Sequence, residues 1–190
     1  KNVKNIADSK KKELNQITIC ILDRPRHADI IEKLKKINVN VKLITDGDVS
    51  GALLVTNKKF SVDAYIGIGG GPEGVLAASA LDAYGCKFQG RFLFETDEDK
   101  KRAKDMGIKD LNKKYELNDI VKGDSIFCAT GITTNEHVNG VIHNEGKFIT
   151  ETLVTCKNTI INVVKKEVPA TWLNTIITIQ KRSLVPSSIG

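Results

Sequence analysis

The sequence predicts an α/β fold in which a mostly parallel β-sheet is flanked by helices and carries antiparallel strands at its edge. Short β-branched apolar runs alternate with amphipathic stretches along most of the 190 residues, which is typical of strand-helix-strand units. Polar residues suited to ligand binding follow three successive apolar runs, as they do at the carboxyl ends of parallel strands. From 140 to 165 the alternation changes to β-branched runs separated by polar residues, which indicates antiparallel strands.

The first three predicted strands are short and rich in β-branched residues. Residues 17–22 read Ile-Thr-Ile-Cys-Ile-Leu, a continuous apolar run that is typical of a strand buried on both faces. Strands are also predicted over 39–44 and 62–68, and an amphipathic helix separates the first two strands. Its apolar positions recur at helical spacing, at Ile30, Ile31, Leu34 and Ile37. A shorter helix over 49–55 is predicted between the second and third strands.

Proline and glycine mark the limits of the next helix. It is predicted over 72–84, because Pro72 suits the first turn of a helix and Gly85 suits the position after its last turn. A charged stretch and several apolar runs predict the elements that follow. In chain order they are strand 88–95, helix 97–106, strand 125–129 and the antiparallel strands 148–154 and 159–164.

Composition and charge exclude several classes of protein. A content of 41% hydrophobic and 27% charged residues is ordinary for a globular protein, and 190 residues suffice for one sizeable core. The net charge of +6 comes mainly from short lysine clusters that are mixed with acids and lack interleaved aromatic residues, so no nucleic-acid partner is expected. No apolar run approaches the roughly 20 residues that cross a bilayer, so no membrane association is expected.

The cysteine spacing indicates a reducing compartment. The four cysteines are widely separated and form no C-x-x-C pair, so we expect buried thiols in place of zinc ligands or disulfides. These residues are Cys20, Cys86, Cys128 and Cys156. The sequence therefore predicts a cytoplasmic protein.

A glycine-rich turn between the third strand and the following helix is the most informative segment. It reads Gly-Ile-Gly-Gly-Gly-Pro-Glu-Gly over 67–74. A dinucleotide fingerprint would need a small residue in place of Pro72, and a P-loop would need lysine in place of Val75, so neither motif fits. Bare backbone near Gly70 would let a ligand approach closely, and Glu73 would stand at a helix N-terminus. The segment predicts a site for phosphate and metal, although by itself it fits a plain packing turn equally well.

Charged residues follow the first two strands as well. In Arg24-Pro25-Arg26 two guanidinium groups flank a rigid proline, and guanidinium suits bidentate contacts with phosphate oxygens. In Asp46-Gly47-Asp48 the glycine permits a sharp turn, and the two acids suit sugar hydroxyls or a cation. Each motif alone also fits an ordinary loop. Because the strand ends of an open α/β sheet form one crevice, the motifs together predict a sugar-phosphate site.

Taken in order, these motifs resemble the class II fructose-1,6-bisphosphatase family. The resemblance covers about residues 1–165, and no single motif would suffice for it. The segments that carry it are Asp23-Arg24-Pro25-Arg26-His27, Asp46-Gly47-Asp48-Val49, 67–74 with Val75-Leu76-Ala77-Ala78, Gln89-Gly90-Arg91, Arg102-Ala103, 106–110 and Ala129-Thr130-Gly131-Ile132-Thr133.

The resemblance implies a phosphatase that depends on Mn²⁺ or Mg²⁺ and hydrolyses the 1-phosphate of fructose 1,6-bisphosphate in gluconeogenesis. Matched residue by residue, Glu73 corresponds to a metal ligand. The substrate contacts correspond to Arg24, Pro25, Arg26, Asp46, Gly47, Asp48 and Gly70. The expected partner is therefore a small-molecule sugar bisphosphate, and a homo-oligomer is compatible with the sequence.

The chain also departs from the family pattern. Most of the family's metal-ligating acids lie in an N-terminal half that precedes the segment beginning here, so we expect the C-terminal part of a sugar-phosphatase fold that is inactive by itself. We assign no catalytic residue in this chain. The predicted organisation is a polar helix or linker over 1–16, an α/β sugar-phosphate-binding domain over 17–165 and a tail of unknown role over 166–190. One side of a short helix is predicted in the tail, formed by Trp172, Ile176, Ile177 and Ile179.

Three other functions stay open at this point. A non-catalytic module would bind a sugar phosphate or nucleotide in the same crevice without metal chemistry. A different phosphotransferase would use Asp46 or Asp48 as its nucleophile, and a phosphoenzyme would then form. Because some members of the family also accept sedoheptulose 1,7-bisphosphate, a bifunctional bisphosphatase is the third alternative.

Overall fold

The computed structural model describes residues 1–157 and 162–169, which divide into two units. Of the described residues, the first unit holds Lys1–Phe127 and 155–157, and the second holds Cys128–Val154 and 162–169. The predicted strand 159–164 lies partly outside the described residues, and the predicted tail helix lies entirely outside them.

A three-stranded parallel sheet forms the centre of the first unit. Strand β1 (Thr18–Leu22) lies between β2 (Asn40–Ile44) and β3 (Ala64–Tyr65) and pairs in parallel with both. Residues 19–21 are fully buried, as the continuous apolar run predicts. The parallel sheet of the predicted α/β fold is therefore confirmed.

Helices connect these strands, and local chemistry sets their limits. The α-helices of the described residues are α1 (Asn2–Lys10), α2 (Ala28–Lys36), α3 (Asp48–Leu53), α4 (Gly71–Asp82), α5 (Asp97–Asp105) and α6 (Leu117–Ile120). Helix α3 begins after Gly47, whose φ of 86° favours glycine. Helix α5 begins after Thr96, whose hydroxyl accepts the backbone N–H of Asp99. Within the described part of the chain, none of these helices is long and apolar enough to cross a membrane.

Two of the predicted strands are shorter in the structure than the sequence indicates. The third strand was expected over 62–68, but its paired part is β3, because the glycine-rich turn follows almost at once. The expected strand 88–95 is reduced to β4 (Gln89–Gly90), which pairs antiparallel with β5 (Tyr115–Glu116) in a separate sheet. The aromatic residues that favoured a longer strand pack on one another instead, with the ring of Phe92 edge-on to Tyr115 at 5.6 Å.

Apolar packing joins α1 to the parallel sheet. One cluster of buried residues contains Val3, Ala7, Ile17, Ile19, Leu34 and Val39. A second cluster, formed by Cys20, Leu54 and Val62, packs on β1. Fully burying a large aliphatic side chain stabilises a fold by about 1.5–3 kcal/mol. Residues of α1 therefore belong to the core of the first unit.

Asp63 connects the end of α1 to the start of β1. Its side chain is only 6% exposed, and its carboxylate accepts hydrogen bonds from Nζ of Lys12 at 2.7 Å and from the backbone N–H of Thr18 at 2.9 Å. Nζ of Lys10 lies 3.1 Å from the same carboxylate. Burial raises the pKa of Asp63, but the hydrogen bonds from Lys12, Thr18 and Lys10 outweigh burial and hold this pKa below its ordinary value.

A third sheet, of four strands, holds the later strands. Strand β8 (Lys147–Cys156) pairs with β6 (Ile126–Thr130), β7 (Ile142–Asn144) and β9 (Asn162–Pro169). The pairs with β7 and β9 are antiparallel, which confirms the antiparallel strands predicted late in the chain. The turn between β7 and β8 is Glu145-Gly146, and both residues have positive φ, as the tightest hairpin turns require.

Substitution of Gly51 tests how tightly α3 packs on the sheet. A Cβ at Gly51 would lie 2.5 Å from Cδ1 of Ile44 and 2.9 Å from Cε2 of Tyr65. We expect Gly51→Ala to lower the free energy of unfolding by about 1–3 kcal/mol, the usual cost of overpacking, in a urea titration. Gly74→Ala is the matched control, because Gly74 is also helical and nothing lies within 4 Å of its added Cβ. Equal effects of the two substitutions would contradict this packing.

Acid should weaken the contact that Asp63 makes. Because the pKa of Asp63 is lowered by folding, its stabilisation is fully present above the ordinary value of 3.8 and is lost as the pH falls through the lower, folded pKa. We expect Asp63→Asn to lower the free energy of unfolding at pH 7 by about 2 kcal/mol, since hydrogen bonds to a charged group are lost. The variant should also show a flatter fall in stability between pH 5 and pH 2. Urea titrations across this range measure both effects, and an unchanged acid profile would overturn the assignment.

Candidate functional site

The three strands of the parallel sheet lead into polar segments at one edge of the sheet. Strand β1 continues into a 3₁₀ turn over Pro25–His27, β2 is followed by Asp46, and β3 is followed by the glycine-rich turn. The backbone N–H of Asp23 donates to the carbonyl of Ile44, which holds the ends of β1 and β2 side by side. Because β1 is the central strand, its arginines lie between the other two segments.

Two arginine-aspartate pairs form across the ends of β1 and β2. Nη2 of Arg24 lies 3.7 Å from Oδ1 of Asp46, and Nη2 of Arg26 lies 4.0 Å from Oδ2 of Asp48. Both distances exceed the 2.7–3.2 Å of an N–H···O hydrogen bond, so these pairs are ionic contacts without hydrogen bonds. Both arginine side chains are more than 40% exposed. Their terminal N–H groups are therefore placed to bind an anionic ligand.

The backbone N–H and carbonyl of Ile68 connect the glycine-rich turn to the end of β1. Its carbonyl accepts a hydrogen bond from Nε of Arg26 at 2.6 Å, and its N–H donates to Nε2 of His27 at 2.9 Å. The first contact orients the plane of the Arg26 guanidinium and engages Nε, so it does not use the two terminal nitrogens. The glycine-rich turn is thereby held against the arginine segment by two hydrogen bonds.

The hydrogen bonds of His27 define its tautomer. Its ring is fully buried, and Nδ1 lies 2.8 Å from the carbonyl oxygen of Leu22, which can only accept. Nδ1 therefore carries the proton, and Nε2 is the acceptor for the N–H of Ile68. A ring in this state bridges the end of β1 and the turn after β3, so His27 has a structural role beside the candidate substrate contacts.

Asp48 is held by a tyrosine from the neighbouring strand. The hydroxyl of Tyr65, the last residue of β3, donates to Oδ1 of Asp48 at 2.8 Å. Burial raises the pKa of Tyr65, and the hydrogen bond to Asp48 and the charge of that carboxylate raise it further, so the hydroxyl stays a donor at neutral pH. The backbone of Gly69 also approaches Asp48, because a Cβ built there would lie 3.6 Å from the same oxygen.

Gly70 and Glu73 meet at the start of α4. Gly70 is the residue before the first turn, and its carbonyl accepts the N–H of Gly74 at 3.2 Å. The carboxylate of Glu73 folds back over Gly70 and occupies the space that a Cβ at Gly70 would need. Only glycine therefore leaves Glu73 in this position, and an acid in the first turn is stabilised by the helix dipole.

Glu73 alone does not form a metal site. Divalent cations such as Mg²⁺ and Mn²⁺ take several oxygen ligands, and most of these are carboxylates, carbonyls and water. Within residues 1–157 and 162–169, no group of three or more His, Cys, Asp or Glu side chains is placed to hold a metal ion. The described residues thus do not fit a complete divalent-metal site.

Sequence reasoning found the charged residues of this site and missed the groups that hold them. The structure brings Arg24-Pro25-Arg26 beside Asp46-Gly47-Asp48, and it places Gly70 against Glu73. From the sequence, Tyr65 is predicted only as part of a strand, and His27 only as part of the arginine segment. The glycines that adjoin Tyr65 in space, Gly51 and Gly67, carried a signal, since both positions exclude a Cβ.

Comparison with known proteins agrees with the motifs. A family model described as "Bacterial fructose-1,6-bisphosphatase, glpX-encoded" matches residues 1–168. The chain belongs to this family. The resemblance that the motifs indicated is therefore confirmed, and the matched range of this bacterial fructose-1,6-bisphosphatase family includes the whole candidate site.

Relatives of the same family come from Synechococcus and Trichodesmium. Two from Synechococcus sp., strains JA-2-3B'a(2-13) and JA-3-3Ab, are 38% and 37% identical over 167 residues, which is 81% of this chain and 48% of each relative. One from Trichodesmium erythraeum (strain IMS101) is 35% identical over 153 residues, which is 74% of this chain and 44% of the relative. All three are named D-fructose 1,6-bisphosphatase class 2/sedoheptulose 1,7-bisphosphatase. The chain spans about half the length of these relatives.

Replacement of His27 tests its structural role in this family member. His27→Ala leaves a buried carbonyl and a part-buried N–H without their partner and opens a cavity, so we expect the free energy of unfolding to fall by about 2–4 kcal/mol. His27→Asn should lose less, because its amide nitrogen takes the place of Nδ1 and still donates to Leu22. Urea denaturation measures both, with His143→Ala as the control at an exposed histidine. A loss at His27→Ala no larger than at the control would show that the bridge contributes nothing.

Proposed function

We propose that this chain is the sugar-phosphate-binding part of an enzyme that hydrolyses the 1-phosphate of fructose 1,6-bisphosphate. Water and the bisphosphate would give fructose 6-phosphate and inorganic phosphate. The observation that carries the proposal is the pair of arginine-aspartate contacts at the ends of adjacent parallel strands, in a segment that matches the family. A sugar bisphosphate presents both phosphate oxygens for guanidinium groups and hydroxyls for carboxylates.

Each proposed contact follows from the chemistry of its side chain. Arg24 and Arg26 bind the phosphate that is not cleaved, through their terminal N–H groups. Asp46 and Asp48 accept hydrogen bonds from sugar hydroxyls. Gly70 stands at the N-terminus of α4, where N–H groups favour anionic oxygens, beside the carboxylate of Glu73.

Glu73 is proposed as one ligand of a catalytic divalent cation, either Mn²⁺ or Mg²⁺. Its carboxylate is exposed and lies beside Gly70, so substrate and cation would share one crevice. A divalent cation supplies charge stabilisation at the phosphoryl group and a more acidic bound water. Because the described residues offer no complete set of ligands, we assign Glu73 a single coordination bond and no step of the reaction.

A second candidate function comes from the names of the relatives. Those proteins are named for both fructose 1,6-bisphosphate and sedoheptulose 1,7-bisphosphate, so we also propose that the heptulose bisphosphate is a substrate. Both sugars are ketoses phosphorylated at their two ends, and the same arginine pair suits either. Roles in gluconeogenesis and glycerol metabolism, a cytoplasmic location and a homo-oligomeric state stay predictions.

A glutamine substitution at Glu73 tests the proposed function. The experiment uses the natural polypeptide, with its intact mass verified, and measures phosphate release from fructose 1,6-bisphosphate with Mn²⁺ or Mg²⁺. We expect Glu73→Gln to lower the rate by at least about a hundredfold, since loss of a ligand costs more than loss of a group behind it. Glu98→Gln is the matched control, because Glu98 is also an exposed acid in the first turn of a helix.

The outcomes separate the candidate functions. Absence of metal-dependent phosphate release from the natural polypeptide would overturn the phosphatase proposal. Equal binding of fructose 1,6-bisphosphate by the wild type and Glu73→Gln, without turnover by either, would favour the non-catalytic binding module. A phosphoenzyme trapped by acid quench and lost in Asp46→Asn or Asp48→Asn would favour the nucleophilic phosphotransferase.

A further inference from the structure

Tyr65 is placed by backbone contacts on two sides of its ring. A Cβ at Gly51 would lie 2.9 Å from its Cε2 atom, and a Cβ at Gly67 would lie 2.9 Å from its hydroxyl oxygen. Real Cβ atoms do not approach other atoms this closely, so only glycine permits these contacts. The ring and the hydroxyl of Tyr65 are therefore packed closely against the backbone of α3 and of the glycine-rich turn.

The hydroxyl of Tyr65 donates a hydrogen bond to one carboxylate oxygen of Asp48, and this contact fixes the orientation of the other oxygen. The terminal torsion of an aspartate side chain is broad, so a partner is needed to fix the orientation of its carboxylate. The 2.8 Å hydrogen bond engages Oδ1, while Oδ2 lies 4.0 Å from Nη2 of Arg26. Oδ2 is thus turned toward the guanidinium but is too far from it for a hydrogen bond. A ligand hydroxyl could donate to Oδ2 while a ligand phosphate binds Arg26.

We propose that Tyr65 is a positioning residue for substrate binding, because its hydroxyl orients the carboxylate of Asp48 beside Arg26. The inference rests on the proposed function, since it names how the same site holds a sugar bisphosphate. Tyr65 itself touches neither the substrate nor the reacting phosphate. Its effect is on the affinity for the bound sugar, and the chemical step at the 1-phosphate does not involve it.

Packing explains why an aromatic ring stands at position 65, but it does not explain why the ring carries a hydroxyl. The ring of Tyr65 fills the space between Ile44, Gly51 and Gly67, and phenylalanine would fill the same space. The half-buried hydroxyl adds only the hydrogen bond to Asp48. Removing it leaves the volume of the site unchanged, so the two roles are separable by experiment.

The test is Tyr65→Phe in the natural polypeptide, with fructose 1,6-bisphosphate as the substrate. We expect KM to rise about tenfold with kcat within about twofold of the wild type, the effect of losing one hydrogen bond to a charged group that acts in binding. The thermal midpoint should stay close to that of the wild type. Tyr84→Phe is the matched control, since Tyr84 is also a half-buried tyrosine with a hydrogen-bonded hydroxyl, and its KM should not change.

A second background separates a positioning role from a direct contact. In Asp48→Ala, the added Tyr65→Phe change should have no further effect on KM, because the hydroxyl acts through that carboxylate. An equal rise in KM with and without Asp48 would show that the hydroxyl acts on the substrate directly and would overturn the proposal. A wild-type KM in Tyr65→Phe would also overturn the proposal, but it would leave the proposed phosphatase function intact. A wild type without bisphosphatase activity would instead overturn the proposed function, and this role with it.

Discussion

The buried central strand β1 is the constraint on which the rest of the first unit depends. Residues 19–21 are fully buried, and both edges of the strand pair in parallel with neighbours. Parallel pairing brings the carboxyl ends of β1, β2 and β3 to the same edge of the sheet. The arginine segment after β1 therefore lies between the aspartate segment and the glycine-rich turn, whatever the loops themselves prefer. The strand order therefore determines which segments meet at the site, and side-chain contacts only refine their positions.

Hydrogen bonds to the backbone of Ile68 then hold the loops more firmly than the arginine-aspartate contacts do. Both the N–H and the carbonyl of Ile68 are engaged, the first by His27 and the second by Arg26. Close approach of the backbone at Gly51 and Gly67 determines where the ring of Tyr65 lies. Glycines in this region thus serve packing as well as ligand access. The glycine-rich turn, which the sequence indicated as a phosphate site, is equally the surface against which a tyrosine and an arginine are positioned.

The sequence was sufficient for the parallel sheet and for the charged residues at its edge, because both depend on local patterns. A continuous β-branched run predicts a buried strand wherever it occurs, and polar residues after such a run lie at the strand end. The length of β3 and the separate pairing of β4 with β5 depend on contacts between distant segments, such as Phe92 with Tyr115. The tautomer of His27 is likewise set by two backbone groups. One is the carbonyl of Leu22, and the other is the N–H of Ile68, which is 41 residues away in sequence. No local pattern carries that information.

The contact between Arg24 and Asp46 contributes little to the stability of the fold, in contrast to the contacts that Asp63 makes. Asp63 has a side chain that is 6% exposed and contacts two lysines at 2.7 and 3.1 Å, so its removal disturbs the sheet. Asp46 is 94% exposed and lies 3.7 Å from Arg24, and such pairs contribute about 0–1 kcal/mol. Because the contact between such groups is weak, little free energy is lost when a ligand replaces it. The same spacing that makes the arginine-aspartate pairs poor stabilisers of the fold leaves them able to bind phosphate.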